Sequence, residues 1–202
     1  GLPDKVKDKF LYVFQVVQSV YNISTKFVKH LEKTDLYEMR VSVGSNEYRT
    51  ILFAVDHDNI IESTRIILLN GFLKKSSKDY KKQIEIAENI KPPTKMIELD
   101  ETKLAQLPTM NQMLDEKFGV NGTAGREEFN ARAIAWYYGT LLRDRRRELN
   151  LTQKEVAEKI GREQTYIARV ERGKSDIQLS SFFRIAAVLG IQFIPTFVSA
   201  LK

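Results

Sequence analysis

The chain has 202 residues, 43% of them hydrophobic, enough to bury a core and to form two small domains. It has no cysteine and only two histidines, His30 and His57, which excludes disulfides, thiol catalysis and thiolate metal sites and argues against zinc. It contains no apolar run of the roughly 18 residues a membrane span needs and no signal-peptide pattern, so a cytoplasmic protein with no membrane partner, no cofactor and no metal is expected.

The net charge of +6 is unevenly placed. Residues 1–90 carry 14 basic and 12 acidic side chains, residues 91–130 carry 5 and 7, and residues 131–202 carry 13 and 7. An excess concentrated in the last third is expected of a surface facing a polyanion.

Pro3 leads into a helix whose apolar stripe is Phe10, Leu11, Phe14, Val17 and Val20. A shorter helical stretch is predicted from Ser24 to Glu32. The period then changes to two. Leu36–Val43 alternates, Gly44–Asn46 turns, and Tyr48–Val55 reads as a second strand. A turn at Asp56–Asn59 precedes a third strand from Ile60 to Leu69, ended by Asn70-Gly71. Lys74 to Lys82 leads into a helix through Ile84, Ile86 and Ile90. Helices followed by an antiparallel meander define an α+β unit.

Lys91-Pro-Pro-Thr-Lys95 cannot continue a helix, because two prolines remove donors and restrain φ. A linker is placed there. Leu104, Leu107, Met110, Met113, Leu114 and Phe118 then recur at helical spacing in a slightly acidic segment. Gly119–Gly125 is a loop, and a helix from about Glu127 runs through Trp136, Tyr137, Leu141 and Leu142 to Arg145–Arg147. Thr152 is an N-cap with Glu155 closing a capping box, and Val156, Ala157 and Ile160 give one apolar face before Gly161. A second short helix carries Ile167 and Val170 inward and ends at Gly173, the plan of a helix-turn-helix. Phe182, Ile185, Ala186 and Leu189 form a further helix. Ile191–Val198 reads as a short strand, which Pro195 confines to an edge.

The stretch Leu151–Gly173, with the following Ile185–Gly190, resembles the phage Cro/repressor family of helix-turn-helix domains. In that family the second helix of the pair enters the major groove. By position the resemblance implies base-reading or groove-facing roles for Gln164, Thr165, Tyr166 and Arg169. It implies phosphate contacts for Gln153 and Lys174. Arg146 and Glu171 match positions that pair structurally in relatives and are left out of the site. Such repressors act as dimers, so a homodimer through this part of the chain is expected, with Ile191–Val198 pairing with its twin.

Tyr37–Val41, Tyr48–Phe53 and Leu69–Lys78 resemble the RelE/HigB-like toxins of type II toxin–antitoxin systems, which cleave mRNA on the ribosome. That resemblance implies phosphate stabilisation by Arg40 and Arg49 on neighbouring strands. It implies substrate contact and proton transfer by Lys74 and Lys75. The chemistry needs neither histidine nor metal, since cationic side chains can neutralise a phosphorane formed by the RNA's own 2′-hydroxyl. This chain departs from related toxins in having Asn70 where they often carry His, in lacking a proline near Tyr80, and in lacking their additional first strand. His30 and His57 are read as surface residues.

Thr109–Gly119 and Gly122–Phe129 resemble the region that precedes the DNA-binding helices in HigA-like antitoxins. The expected organisation is a RelE/HigB-like toxin domain over 1–90 without its first strand, a linker over 91–95, a toxin-contacting segment over 96–130, and a helix-turn-helix domain over 131–202. The fold class is α+β, with an antiparallel sheet and helices followed by an all-α domain ending in a short strand. The expected function is a toxin–antitoxin module: an endoribonuclease (mRNA interferase) held in check by an antitoxin that represses its own transcription. Its partners would be operator DNA, the toxin–antitoxin contact within or between chains, and ribosome and mRNA. The alternative is a transcription regulator whose first domain is a non-catalytic ligand- or protein-binding module.

Overall fold

The computed structural model describes residues 3–20, 23–63, 65–91, 102, 105–106, 108–174 and 176–194. Two compact units are present, Gly1–Asn130 and Ala131–Lys202.

In the first unit, helix α1 (Asp4–Ser19) opens after Pro3, and Asp4 in its first turn suits the helix dipole. Strands β1 (Val28–His30), β2 (Leu36–Val43), β3 (Asn46–Ala54) and β4 (Ile66–Leu73) form one antiparallel sheet in that order. Helix α2 (Ser77–Ile90) is capped by Ser76, whose side chain accepts from the Asp79 amide. Side chains alternate along a strand, so Leu36, Glu38 and Arg40 share one face and Met39 and Val41 the other. Cross-strand register puts Arg40 opposite Arg49 and Arg49 opposite Phe72, extending the first face across three strands. Helix α2 closes over that face, with Ala87 in one cluster with Leu31, Leu36, Ile51 and Phe53.

Helix α3 (Met110–Phe118) starts with a Thr109/Gln112 capping box, and helix α4 (Ala124–Glu148) follows. Leu114 of α3 and Phe129 of α4 are fully buried against Leu11 of α1, with Tyr12, Met110 and Phe118 around them. The rings of Phe118 and Phe129 stack at 4.1 Å. Lys117 pairs with Asp8 of α1, and buried Arg126 ties the α3 side chain of Asp115 at 2.7 Å.

Several local expectations are corrected. The stretch from Ser24 is a turn leading into β1, not a helix: the Ser24 carbonyl accepts from Phe27, and Phe27 and Val28 are buried against β2. The third long strand begins at Ile66, not Ile60. Asp56 instead organises a loop by accepting from Ser63 and from the Arg65 amide. Asn70 and Gly71 lie inside β4, beside a bulge between Ile51 and Leu52, and do not end it. Asn70 turns its amide onto Gln83 of α2, at 3.0 and 3.1 Å. On α1 the core positions are Val6, Phe10, Leu11, Val13 and Val16, a stripe rotated from the predicted one. Helix α4 starts three residues early, at Ala124. Leu104 and Leu107 lie outside the described residues, and Met113 is exposed.

The second unit contains the rest of α4 with α5 (Gln153–Lys159), α6 (Gln164–Glu171) and α7 (Leu179–Val188). Its core is Leu142, Val156, Ala157, Ile160, Ile167, Val170, Ile185 and Leu189. The Thr152/Glu155 capping box forms as the spacing predicts, and Gly161 (φ +65°) ends the turn after α5. Two further glycines let α4 approach the end of α6. A Cβ on Gly139 would lie 2.3 Å from the Val170 carbonyl oxygen, and one on Gly173 would lie 2.6 Å from the Trp136 backbone. The expected C-terminal strand does not form over Ile191–Ile194, where the Ile191 amide folds back onto Ala186; residues 195–198 lie outside the described residues.

Candidate nucleic-acid interfaces

In the first unit the period-2 pattern of β2 and β3 brings four charged side chains together beneath α2. Glu38 is 1% exposed and accepts from Nε of Arg40, with Nε of Arg49 at 3.4 Å. Arg49 also donates to the Tyr48 carbonyl and to Glu47, both at 2.9 Å. Burial works against a charged Glu47, but hydrogen bonds from Ser42 and Arg49 hold its carboxyl below the usual range. Tyr80 of α2 completes the group. Its burial, and then the Glu38 carboxylate beside it, push the phenol well above its ordinary value, so it stays protonated. The Lys74 amide donates to the Glu47 carbonyl, and its Nζ sits 5.0 Å from the Tyr80 ring centre.

The four predicted residues are therefore not equivalent. Arg40 is 29% exposed, and beyond Glu38 its guanidinium has no partner among the described residues. Arg49 is 8% exposed and holds two carboxylates and a carbonyl. Lys74 joins the group, whereas Lys75 is exposed beside it. The group can offer an anion Arg40 and Lys74, with Arg49 braced behind them. Glu38, Glu47 and Tyr80 were missed in the sequence. For Glu38 the signal was there, since residues two apart on a strand share a face. His30 is exposed, and His57 is engaged by Glu62 and the Asn59 amide. Among the described residues no acidic, histidine or cysteine cluster could hold a metal ion.

In the second unit Arg146 and Glu171 form a buried bidentate pair at 2.5 and 2.9 Å. The hydrogen bonds it donates to Glu171 hold the Arg146 guanidinium even more firmly protonated. The same carboxylate accepts from Nε2 of Gln153 at 2.8 Å. That fixes the Gln153 amide at the start of α5 and leaves its second N–H free to turn outward. Gln164, Thr165 and Arg169 are exposed on α6. Tyr166 is half-buried against the core, with the Arg162 guanidinium 5.5 Å from its ring centre. Gly161, Arg162, Glu163, Thr165, Tyr166 and Arg169 line one open depression at the N-terminal end of α6. Past its other end, the amides of Gly173 and Lys174 donate to the Val170 and Arg169 carbonyls. This double closure places exposed Lys174 just beyond the helix.

Two short helices across a glycine turn, one presenting an exposed polar row beside a cationic rim, define a helix-turn-helix DNA-binding unit. Comparison with known proteins agrees: residues 142–194 match the helix-turn-helix family. An uncharacterised helix-turn-helix-type transcriptional regulator from Methanothermobacter thermautotrophicus is 42% identical over 55 residues, covering 27% of this chain and 80% of that protein. The chain belongs to the helix-turn-helix family, and ahead of that unit residues 1–91 match the family of phage-derived Gp49-like proteins. Among the described residues no helix is long and apolar enough to cross a membrane.

Proposed function

We propose that the chain is a toxin–antitoxin module in which a RelE/HigB-like ribonuclease domain is restrained by an antitoxin segment whose DNA-binding unit represses transcription from its own promoter. The observation that carries this reading is the seating of α3 and the start of α4 on α1, through Leu114, Phe129 and the Lys117–Asp8 pair. An inhibitor resident on its target makes such contacts. In the nuclease, Arg40 and Lys74 stabilise charge on the phosphate, Arg49 braces Arg40 through Glu38, and Lys75 contacts substrate. On DNA, Gln164, Thr165, Tyr166 and Arg169 face the bases, and Gln153 and Lys174 the phosphates.

Residues 1–91 and 92–202, expressed from separate promoters, test the pairing. The first should arrest growth and cut mRNA on translating ribosomes, and the second should relieve the arrest and copurify with it. Growth arrest that survives Arg40→Ala with Lys74→Ala overturns the site, and uncut mRNA overturns the nuclease.

One observation favours a second reading, a transcription regulator with a non-catalytic first domain. Both arginines are already engaged by carboxylates, and Arg49 is buried. A growth-neutral first domain whose loss changes only DNA binding would establish it.

A further inference from the structure

We propose that the end of β4 and the first half of α2 form a track for single-stranded RNA, built on Lys74, Lys75, Lys78, Lys81 and Lys82 and leading to Arg40. It rests on the reading of the first unit as acting on RNA and names the surface that holds the strand.

The five lysines fall within nine residues and all are exposed. Among the described residues no carboxylate lies within ion-pair distance of any of them. Elsewhere in the unit Lys7 pairs with Asp4, Lys91 with Asp35 and Lys117 with Asp8, while exposed Lys5, Lys29 and Lys33 stand singly; only between Lys74 and Lys82 do exposed lysines without an ion pair cluster.

Helix α2 is also charged against its own dipole. Lys78 shares the first turn with Asp79 and Lys81 and Lys82 follow, while Glu85 and Glu88 lie toward the C-terminal end and the last turn holds no basic residue. Cations belong at the other end of a helix. Lys78 stands one turn from both Lys81 and Lys82, a spacing at which like charges repel. Asp79 and Glu85 stand three or four residues from Lys81 or Lys82 and offset part of that repulsion, but within the helix both residues at those spacings from Lys78 are lysines. Bound phosphates would offset the rest.

The aromatic content distinguishes RNA from other polyanions. The rings of Phe72 and Tyr80, 6.2 Å apart and half-buried, sit beside Lys74, whose ammonium lies over the Tyr80 ring. Unstacked bases lie on such rings while the backbone follows the cations, which duplex DNA does not permit. No large apolar side chain is exposed between Lys74 and Lys82, so an anchor for an acidic protein is missing there.

The test uses the full chain and a fluorescent oligouridylate titrated at increasing salt, with the variant Lys78→Gln/Lys81→Gln/Lys82→Gln. Losing three phosphate contacts should lower the salt slope by about 2 and the affinity by roughly tenfold or more. The matching Lys→Arg variant should bind like the parent. The Gln variant should bind random duplex DNA unchanged and melt no earlier than the parent, since repulsion on α2 is relieved. An unchanged oligouridylate affinity and slope overturns the track. So does an equal loss toward duplex DNA, or a loss confined to polyglutamate or to vesicles containing anionic lipid. RNA that binds through the lysines but stays uncut removes the nuclease reading and leaves the track standing.

Discussion

Replacing Gly139 with alanine should destabilise the second unit, against the usual rule for a glycine inside a helix. Alanine in a helix interior is ordinarily favoured over glycine by about 1 kcal/mol. Here the new methyl would stand 2.3 Å from the Val170 carbonyl oxygen and 3.2 Å from the Glu171 carbonyl carbon. Those are backbone atoms, which cannot rotate away, so α4 and the end of α6 must separate by about 1 Å to restore ordinary contact. Overpacking of this kind costs about 1–3 kcal/mol, and backbone against backbone belongs at the upper end. Net of the helix gain, a loss of about 1–2 kcal/mol remains, or about 4–8 °C in melting temperature per kcal/mol for a unit this small. The same shift moves Arg169 and Lys174, so operator affinity should fall with stability. Calorimetry and fluorescence anisotropy on parent and variant measure both. A Gly139→Ala chain that melts at the same or higher temperature refutes the close approach and the reasoning built on it.

Three further outcomes follow from the second unit. Glu171→Ala strands the buried Arg146 guanidinium and releases Gln153, and should cost about 3–5 kcal/mol by urea denaturation, whereas Arg146→Met with Glu171→Leu should recover most of it. Arg169→Ala should relax preference at one base position, while Lys174→Ala should weaken all duplexes alike and flatten the salt slope by about 1; an operator affinity indifferent to both would remove α6 from the groove. The Thr152 backbone amide, then its hydroxyl, hold the Glu155 carboxyl below its ordinary 4.5. A depressed folded value stabilises above that pH and is lost as acid protonates the carboxylate. Acid titration of Glu155→Gln beside the parent should therefore show the two melting temperatures converging below about pH 4.5.

The second unit was legible in the sequence because its local signals agree: a capping box, an apolar stripe and two glycines all fix the same pair of helices. The Arg146–Glu171 pair was legible only through resemblance, since nothing in spacing brings positions 25 apart together. Around the sheet, local propensity misled. Phe27 and Val28 joined β2 rather than a helix, and Asn70-Gly71 read as a turn although its partners across the ladder keep it extended. In the charged group, the place of Arg40 and Arg49 on neighbouring strands allowed them to converge on one sheet face. Parity along β2 put Glu38 on that face, but nothing in the spacing revealed that Tyr80 would arrive from a helix over thirty residues away. Gly139 gave no more than a helical residue with poor propensity; its reason lies on another helix.

The division between the two units falls within α4, between Asn130 and Ala131, and this bears on inheritance. Phe129, which holds the first unit, and Leu142, which holds the DNA-binding core, belong to one helix. A crossover at the unit boundary would therefore cut a helix, so on the proposed reading a change of operator specificity disturbs the chain less when made by substitution on α6 than by exchange of the unit.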